Sequence, residues 1–406
     1  MNNVGKAVKI SDNVYWVGAV DWTTRDFHGY QTSRGTTYNA YLIMADKITL
    51  VDTVKTPFMG ELLSRISSVV DPSRIDYIVS NHAEMDHSGC LPQIMDIVKP
   101  EKVFASAMGQ KILESQLRIG SKITPVMNGE NLSLGNMNLT FIETKMLHWP
   151  DSMFSYLKEE QILFSQDAFG MHLAVDRLFD DENVWDVLEE ESEKYFANIL
   201  MPYSNLIIKL LDAVGEMKLP IKLVATDHGP IWRSNIGKII ELYRKWSEHK
   251  PVPRAVVVYD TMWNSTASMA NAIGEGLRES GVDFKILPMS VSHRSDVATE
   301  ILKSSAIIVG SPTLNNNIFP TLADVLTYVK GLRPLNMVGA SFSSYGWSGE
   351  SLGQLNDCLK AMNVELVNDG IRVKYVPADA DLNACMELGR LVGTTLRGKI
   401  INLNNG

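Results

Sequence analysis

The 406-residue sequence predicts an α/β protein with two domains, the second of them a doubly wound parallel sheet. Two observations lead to this fold class. Up to about residue 250, many short strand-like runs separated by turns accompany one helical region at 184–217. Beyond residue 250, apolar strand-like runs alternate regularly with helical patterns, and this alternation is typical of βαβ units.

The two parts of the chain meet at a short connector that contains two prolines. A helical pattern at about 235–248 ends just before residues 250–254, which read Lys-Pro-Val-Pro-Arg. Proline disfavours both a helix interior and a central strand, so the chain is expected to be irregular here. We therefore predict one domain at residues 1–250 and a second at 251–406, each long enough to bury its own core.

Composition and charge exclude several classes of partner. With 45 % hydrophobic and 21 % charged residues, the chain has the make-up of an ordinary globular protein. A net charge of -9 argues against binding to nucleic acid or to an anionic membrane surface. No apolar run approaches the length of a membrane span, and residues 1–6 show no signal-peptide pattern. We therefore expect a cytoplasmic protein that binds neither nucleic acid nor membrane.

The three cysteines, Cys90, Cys358 and Cys385, are scattered along the chain. No Cys-x-x-Cys pair occurs, so the sequence offers neither a rubredoxin module nor a four-cysteine iron–sulfur site. A disulfide framework is equally disfavoured. If the protein performs redox chemistry, its electrons are expected to come from another molecule.

The densest group of possible metal ligands lies at residues 82–87, which read His-Ala-Glu-Met-Asp-His. They directly follow the strand-like run 75–80, and a polar turn at a strand end is the simplest alternative. Four ligands in six positions are rare in such a turn. The set mixes imidazole with carboxylate and has no thiolate, which favours iron or manganese over structural zinc.

An apolar run followed by a histidine or an aspartate recurs at three further places, with His148 after residues 139–144, Asp167 after 161–165 and His228 after 222–226. Each of these residues alone is an ordinary turn residue. Together with residues 82–87 they predict a metal site on loops at one edge of a sheet. Two other histidines, His28 and His172, are candidates to hydrogen-bond a metal ligand, and the alternative is that they are core histidines.

The second half of the chain contains a candidate phosphate site. The strand-like run 255–259 leads into a hydroxyl-rich loop and then a helical pattern at 267–279. Backbone amides and the positive end of a helix dipole attract an anion at such a junction, and serine and threonine add donors. Two more loops follow the strand-like runs 306–309 and 338–342.

The four metal-site segments, taken in order, resemble the metallo-β-lactamase superfamily, whose signature is usually His-x-His-x-Asp-His. Here Glu84 replaces the second histidine, and this departure resembles the flavodiiron proteins. The resemblance implies a metallo-β-lactamase-like αββα sandwich for the first domain. It also implies two irons, the first bound by His82, Glu84 and His148, the second by Asp86, His87 and His228, with Asp167 as the bridge between them.

The second half resembles flavodoxin over nearly its whole length, and the resemblance implies FMN as the cofactor. By matching positions, the first loop grips the FMN phosphate and comprises Thr261, Met262, Trp263, Asn264, Ser265 and Thr266. The other two loops flank the flavin ring and comprise Pro312, Thr313, Leu314 and Asn315, and then Ser344, Tyr345, Gly346, Trp347, Ser348 and Gly349. Trp263-Asn264 stands where simple flavodoxins have Thr-Gly.

Together the two halves resemble the flavodiiron protein family, and most closely its methanogen type, which oxidises the reduced deazaflavin coenzyme F-420. The resemblance implies reduction of dioxygen to water, with two electrons from the irons and two from FMN. It implies reduced coenzyme F-420 or rubredoxin as the electron donor. It also implies a head-to-tail homodimer, or a tetramer, that brings one chain's FMN near the other chain's irons.

Three alternatives remain open at the level of the sequence. The same site could reduce nitric oxide with electrons from an external rubredoxin. A zinc-dependent hydrolase with a flavodoxin-like domain is the rival from another reaction class, which Glu84 disfavours. A flavin electron carrier whose first domain binds no metal is the third.

Overall fold

The computed structural model describes residues 5–120 and 122–404. The first four residues, which form part of the stretch without a signal-peptide pattern, lie outside the described residues. The chain forms two compact units. The first unit comprises the residues up to Tyr195 together with Tyr203–Arg244, and the second comprises Phe196–Pro202 and the residues from Lys245 onwards.

The first unit is built on two main sheets. Its strands are β1 Val8–Lys9, β2 Val14–Trp16, β3 Ala19–Asp21, β4 Asp26–Phe27, β5 Tyr30–Gln31, β6 Thr36–Tyr38, β7 Tyr41–Ile43, β8 Thr49–Val51, β9 Tyr77–Ser80, β10 Lys102–Ser106, β11 Ile123–Val126, β12 Asn131–Ser133, β13 Asn138–Glu143, β14 Met153–Leu157, β15 Ile162–Gln166 and β16 Leu223–Thr226. The first sheet has the order β1-β2-β7-β8-β9-β10-β11, and the second has the order β12-β13-β14-β15-β16. Strands β3 and β6 form a separate pair, as do β4 and β5.

The helices of the first unit are α1 Met59–Ser67, α2 Met85–Ser88, α3 Leu91–Val98, α4 Ala107–Leu117, α5 Trp185–Tyr195, α6 Ser204–Met217 and α7 Ile236–Glu248, the last of which runs four residues into the second unit. Short 3-10 turns occur at Thr56–Phe58, Pro72–Arg74, Asp180–Glu182 and Met201–Tyr203, and a π-helical segment in the second unit spans Phe196–Leu200. The region from 185 to 217 is thus largely helical, as the sequence predicts.

Alternating side chains of the first sheet face two different layers. Leu42, Leu50 and Ile78 pack into an outer core with helices α1, α3 and α4. Tyr41 and Val51 point the other way, into a core shared with the second sheet. A period of two places alternate residues on opposite faces of a strand, so a sheet buried on both sides reads as nearly continuous apolar runs.

The second sheet completes a four-layer sandwich. Phe141 and Phe164 point inward toward the first sheet. On the opposite face the ring of Phe154 contacts Phe169, with centroids 6.5 Å apart, and Phe169 contacts Tyr243 of α7 at 4.7 Å. The layers are therefore helix, sheet, sheet and helix, and the predicted αββα sandwich is confirmed.

The second unit is a parallel sheet covered by helices on both faces. Its strands are β17 Arg254–Tyr259, β18 Asp283–Pro288, β19 Ala306–Pro312, β20 Val338–Tyr345, β21 Glu365–Leu366 and β22 Ile371–Lys374, and its helices are α8 Ser265–Glu279, α9 Arg294–Lys303, α10 Pro320–Leu332, α11 Ser351–Ala361 and α12 Asp379–Asn404. The strand order is β18-β17-β19-β20-β21, with β22 also paired to β20, and all pairings are parallel. This is the flavodoxin-like order, so the predicted doubly wound sheet is confirmed.

Two cores flank this sheet. Helices α8 and α12 cover one face, and α9, α10 and α11 cover the other. Helices α8 and α12 cross closely because glycine stands at the contact. A Cβ added at Gly276 would lie 2.0 Å from the carbonyl oxygen of Met386, and one added at Gly389 would lie 2.1 Å from that of Ile273.

Among the described residues, no helix is both long enough and apolar enough to cross a lipid bilayer.

Candidate metal centre and cofactor-binding loops

All predicted metal ligands of the first unit lie where strands end. Strand β9 of the first sheet leads to His82 and then to the short helix α2, whose N-cap is Glu84 and which carries Asp86 and His87. His148 lies between β13 and β14, Asp167 directly follows β15, and His228 follows β16. The loops of two facing sheets thus converge at one edge of the sandwich.

The first ligand group comprises four residues, His82, Glu84, His148 and Asp167. The Nε2 atom of His148 lies 3.0 Å from Oε2 of Glu84, and that of His82 lies 3.4 Å from the same oxygen. One carboxylate oxygen and two imidazole nitrogens therefore face a common point, which is the arrangement that a metal ion requires.

The second ligand group comprises Asp86, His87 and His228, all buried. Nε2 of His228 lies 3.2 Å from Oδ2 of Asp86, and Nε2 of His87 lies 3.4 Å from Oδ1 of the same carboxylate. The structure thus brings six of the predicted ligands together in two groups that could each hold a metal ion, and their assignment as iron ligands stays a prediction.

Asp167 stands between the two groups. Its Oδ2 atom lies 2.9 Å from Nε2 of His148 and 3.3 Å from Nε2 of His82. Its other oxygen, Oδ1, lies 3.1 Å from Nε2 of His87 and 3.5 Å from Nε2 of His228. Because each oxygen faces a different group, this carboxylate can bridge two metal ions.

Unsatisfied buried atoms show that the residues fit metal ions. In the described part of the chain, five buried ligand atoms have no hydrogen-bond partner, namely Nε2 of His82 and of His87, both oxygens of Asp86 and Oδ1 of Asp167. Burying so many polar atoms unpaired costs several kcal/mol unless a ligand satisfies them. Three carboxylates and one hydroxide would balance the charge of two ferrous ions.

The pKa shifts of two candidate ligands, Glu84 and His87, show that imidazoles and carboxylates interact strongly in this cluster. Burial raises the pKa of Glu84, but hydrogen bonds and charges from His148 and His82 outweigh it and hold that pKa below its usual range. Burial lowers the pKa of His87, but the charges of Asp86 and Asp167 outweigh it and raise that pKa well above its usual value. Both shifts arise from interaction between the imidazoles and the carboxylates, and such ligands release their protons when a metal binds.

Three of the four candidate histidine ligands have a polar group near their second ring nitrogen, and in two of them this group forms a hydrogen bond. Nδ1 of His82 lies 3.1 Å from Oδ2 of Asp151, and Nδ1 of His87 lies 3.4 Å from Oδ2 of Asp227. Nδ1 of His228 donates to the carbonyl oxygen of Thr37 at 2.6 Å. The hydrogen bonds of His82 and His228 leave Nε2 of these two rings as the metal-binding atom and fix the ring orientation. Among the described residues, Nδ1 of His87 and Oδ2 of Asp227 have no hydrogen-bond partner.

Sequence reasoning missed the roles of Asp151, Asp227 and Thr37. Asp151 lies three residues after His148 and Asp227 lies one residue before His228, so proximity to a ligand was their only signal. Thr37 is distant in sequence from His228, and it contributes a backbone atom that its side chain does not reveal.

His28 and His172, predicted as possible hydrogen-bond partners of the ligands, occupy different environments. His28 forms the turn between β4 and β5, its side chain is 76 % exposed, and Nε2 lies 3.3 Å from Oε1 of Glu84. His172 is fully buried, and burial lowers its pKa well below the usual value. Its Nδ1 lies 2.9 Å from the hydroxyl of Thr36, which is also 3.3 Å from Nδ1 of His228.

In the second unit, the three predicted flavin loops lie at the carboxyl ends of β17, β19 and β20. The strands run further than the sequence indicates, because Pro312 ends β19 and both Ser344 and Tyr345 still belong to β20. The remaining predicted residues lie beyond the strand ends. Trp263 and Trp347 are 88 % and 89 % exposed, so these two indoles are available to a bound ring.

Hydrogen bonds join the three loops to one another. The hydroxyl of Thr266 lies 2.8 Å from that of Ser344, which joins the first loop to the third. The hydroxyl of Thr313 lies 2.7 Å from that of Ser351, and the amide of Thr313 donates to the carbonyl of Ser344. These hydrogen bonds fix the loops relative to one another, which lowers the entropy cost of binding a cofactor.

The first loop fits a phosphate group. Asn264 adopts a left-handed conformation with φ of 65° and leads directly into α8. The first turn of a helix has amides without intrahelical partners, and the positive end of the helix dipole lies at the same place. Within residues 5–120 and 122–404, the buried hydroxyl oxygen of Thr261 has no hydrogen-bond partner. The chemistry of these donors matches the phosphate of FMN.

Comparison with known proteins agrees with the fold of both domains. Residues 36–229 match the family described as ODP family beta lactamase, and residues 257–389 match Flavodoxin. The chain is 46 % identical to a nitric oxide reductase of Moorella thermoacetica, over 97 % of this chain and 100 % of that protein.

Two solved structures are similar over nearly their full length. The rubredoxin oxygen:oxidoreductase of Desulfovibrio gigas is 41 % identical with a TM-score of 0.95, covering 97 % of this chain and 100 % of that one. The flavodiiron protein of Giardia intestinalis is 32 % identical with a TM-score of 0.94, covering 99 % of each chain. With both domains matched in order and full-length relatives at this identity, the chain belongs to the flavodiiron protein family.

Proposed function

We propose that the protein reduces dioxygen to water at a diiron centre, with electrons relayed through FMN. The observation that carries this proposal is the placement of Asp167, whose two carboxylate oxygens face two separate groups of buried ligands. The bridge indicates a two-metal site, and the carboxylate-rich ligand set with Glu84 favours iron over the zinc of a hydrolase. The rubredoxin oxygen:oxidoreductase of Desulfovibrio gigas, similar over nearly the whole chain, supports the same reaction.

We assign one iron to His82, Glu84 and His148, the other to Asp86, His87 and His228, and the bridge to Asp167. When bound, the irons supply two electrons and a Lewis-acidic binding point for the substrate, and FMN supplies two further electrons.

The remaining residues around the centre hold and enclose it. Asp151 and the carbonyl of Thr37 fix the tautomers of His82 and His228, and the carboxylate of Asp227 lies 3.4 Å from Nδ1 of His87. The ring centroids of Phe27 and His172 lie 4.8 Å apart. Because Phe27 belongs to β4, the β4–β5 hairpin covers one side of the centre. His28 lies on the same hairpin, and its exposed imidazole near Glu84 can carry protons between solvent and the site.

Nitric oxide is the second candidate substrate. The relative from Moorella thermoacetica, at 46 % identity, is a nitric oxide reductase by name. Coupling two nitric oxide molecules to nitrous oxide needs two electrons, whereas reducing dioxygen to two waters needs four. Measuring both activities on one preparation separates the candidates, because the preferred substrate gives the higher kcat/KM.

For the electron donor, the names of the relatives favour rubredoxin over coenzyme F-420. We further propose a cytoplasmic location and a head-to-tail homodimer, because the exposed Trp263 and Trp347 at the flavin loops would otherwise face water. Reduction of the bound flavin by each donor, followed by absorbance, decides between them. Light scattering at assay concentration tests the dimer, and a fully active monomer would refute it.

The decisive experiment compares Glu84→Ala with the control Glu216→Ala, which changes an exposed glutamate on α6. We expect Glu84→Ala to lose at least one iron per chain and all oxygen reduction while keeping one FMN, and the control to keep everything. Turnover that survives Glu84→Ala would overturn the diiron proposal. Zinc with little flavin in the wild-type protein would indicate the hydrolase instead, and FMN without metal would indicate the carrier.

A further inference from the structure

The loop that we assign to the FMN phosphate begins with a buried carboxylate. Asp260 follows the last residue of β17 and is only 6 % exposed. A carboxylate next to a phosphate site repels the anion, so this residue is unexpected there unless its oxygens have another task. Its contacts show what that task is.

Both oxygens of Asp260 accept hydrogen bonds from groups of the second unit. Oδ1 accepts from the amide of Thr261 at 2.7 Å, and Oδ2 accepts from the hydroxyl of Thr321 at 2.5 Å. Thr321 is the second residue of α10, which follows the second flavin loop. The backbone amide of Asp260 donates to the carbonyl of Gly310 in β19 at 3.2 Å. The carboxylate thus joins the start of the first loop to the helix that follows the second loop.

One consequence concerns Thr261. Because its amide points to Asp260, that amide is not available to a ligand, and the orientation of the whole residue is set. Its hydroxyl oxygen is buried and has no hydrogen-bond partner in the described part of the chain. The hydroxyl is therefore left as a donor for an anion, alongside the amides of the first turn of α8.

We propose that Asp260 is a positioning residue that holds the first loop in its phosphate-binding conformation and so determines selectivity for FMN over riboflavin. This inference depends on the proposed FMN role of the second unit. It assigns Asp260 no contact with the flavin. The residue acts through Thr261 and the loop, and the bond from Thr321 fixes the carboxylate in turn.

The test uses the full-length protein stripped of flavin, titrated with FMN or riboflavin and followed by quenching of flavin fluorescence. Asp260→Ala removes both hydrogen bonds, and we expect FMN affinity to fall by about tenfold or more, with riboflavin affinity within about twofold of wild type. Thr321→Val removes one bond, and we expect a loss of FMN affinity of about threefold to fivefold. Asp283→Ala, at an exposed position at the opposite end of the parallel strands, is the control.

The conservative variant separates positioning from charge. Asn at position 260 can still accept from Thr261, so Asp260→Asn should stay within about threefold of the wild-type affinity for FMN. If Asp260→Asn bound FMN as weakly as Asp260→Ala, charge rather than position would be the determinant, and the proposal would be wrong. Equal losses of FMN and riboflavin would also overturn it, because a merely structural link affects both flavins alike.

Circular dichroism and iron content show whether each variant is folded. If Asp260→Ala fails to fold, Thr321→Val decides, since it leaves the carboxylate in place. Failure of the wild-type protein to bind FMN at all would instead refute the proposed function of the second unit.

Discussion

Asp151 offers a sharp test of how the metal centre is held. Its Oδ2 atom lies 3.1 Å from Nδ1 of His82 and also accepts the backbone amide of Ala83 at 2.6 Å. One oxygen therefore orients a ligand ring and the chain segment that leads to Glu84. We expect Asp151→Ala to weaken metal binding at the His82 side of the centre while leaving the other ligand group intact.

The structure sets the magnitude of this effect. Loss of the group that orients a histidine ligand typically costs 10- to 100-fold in metal affinity, or about 1.4–2.7 kcal/mol. Because Asp151 holds both the ring and the adjacent backbone, we expect about 100-fold for Asp151→Ala. Asp151→Asn keeps an acceptor at the same place, so about tenfold is expected.

Iron content after dialysis against graded concentrations of a chelator measures the effect. Asp151→Ala should lose one iron per chain at chelator concentrations at which the wild type keeps both irons. Asp96→Asn, which changes an exposed aspartate on α3, is the matched control. The reasoning would be refuted if Asp151→Ala retained both irons as tightly as the wild type, or if it lost both together.

Two further predictions concern the stability of the second unit. Burial raises the pKa of Glu300, but hydrogen bonds from Arg254 and Lys285 outweigh it and lower that pKa below 4.5. Glu300→Gln should therefore lower the free energy of unfolding by about 1–2 kcal/mol. The difference in unfolding free energy between wild type and variant should be largest above pH 4.5 and should shrink as the pH falls through the pKa of Glu300 in the folded protein. Urea unfolding, monitored by the release of flavin, measures this difference. Gly276→Ala should destabilise the α8–α12 contact by about 1–3 kcal/mol, because its Cβ would lie 2.0 Å from a backbone oxygen. Gly353→Ala on α11 should instead stabilise the protein by about 0.5–1 kcal/mol, because a Cβ at this position meets no described atom within 4 Å. Thermal unfolding measures both effects, and midpoints that shifted in the same direction for the two variants would contradict this reasoning.

Much of the fold was predictable because hydrophobic periodicity survives in the sequence. The predicted helix at 267–279 corresponds to α8, Ser265–Glu279, and the predicted strand at 255–259 corresponds to β17, Arg254–Tyr259. Strand ends were less predictable. Pro312 ends β19 as its last paired residue, although proline has no amide to donate and is typical of loops and edges.

The candidate ligands were predictable because only a few residue types bind metal and several of them stand close together in this sequence. The groups that orient these ligands were not predictable, because such groups have several common roles in proteins. The carbonyl of Thr37 orients His228, yet any residue at position 37 would provide a carbonyl. Nothing in the sequence singles out Asp260, and only its contact with Thr321, 61 positions away, shows what the carboxylate does.

The origin of the ligands in two facing sheets has a mechanical consequence. His82 follows a strand of the first sheet, whereas Asp167 and His228 follow strands of the second. In the proposed centre, His82 binds one iron, His228 binds the other and Asp167 bridges them, so the pair of irons would join the two sheets at one edge. Separation of the sheets there and release of iron are then one coupled equilibrium, since metal binds only when both halves are in place. Amide exchange at this edge should consequently report iron occupancy, while the opposite edge of the sandwich stays protected in either state.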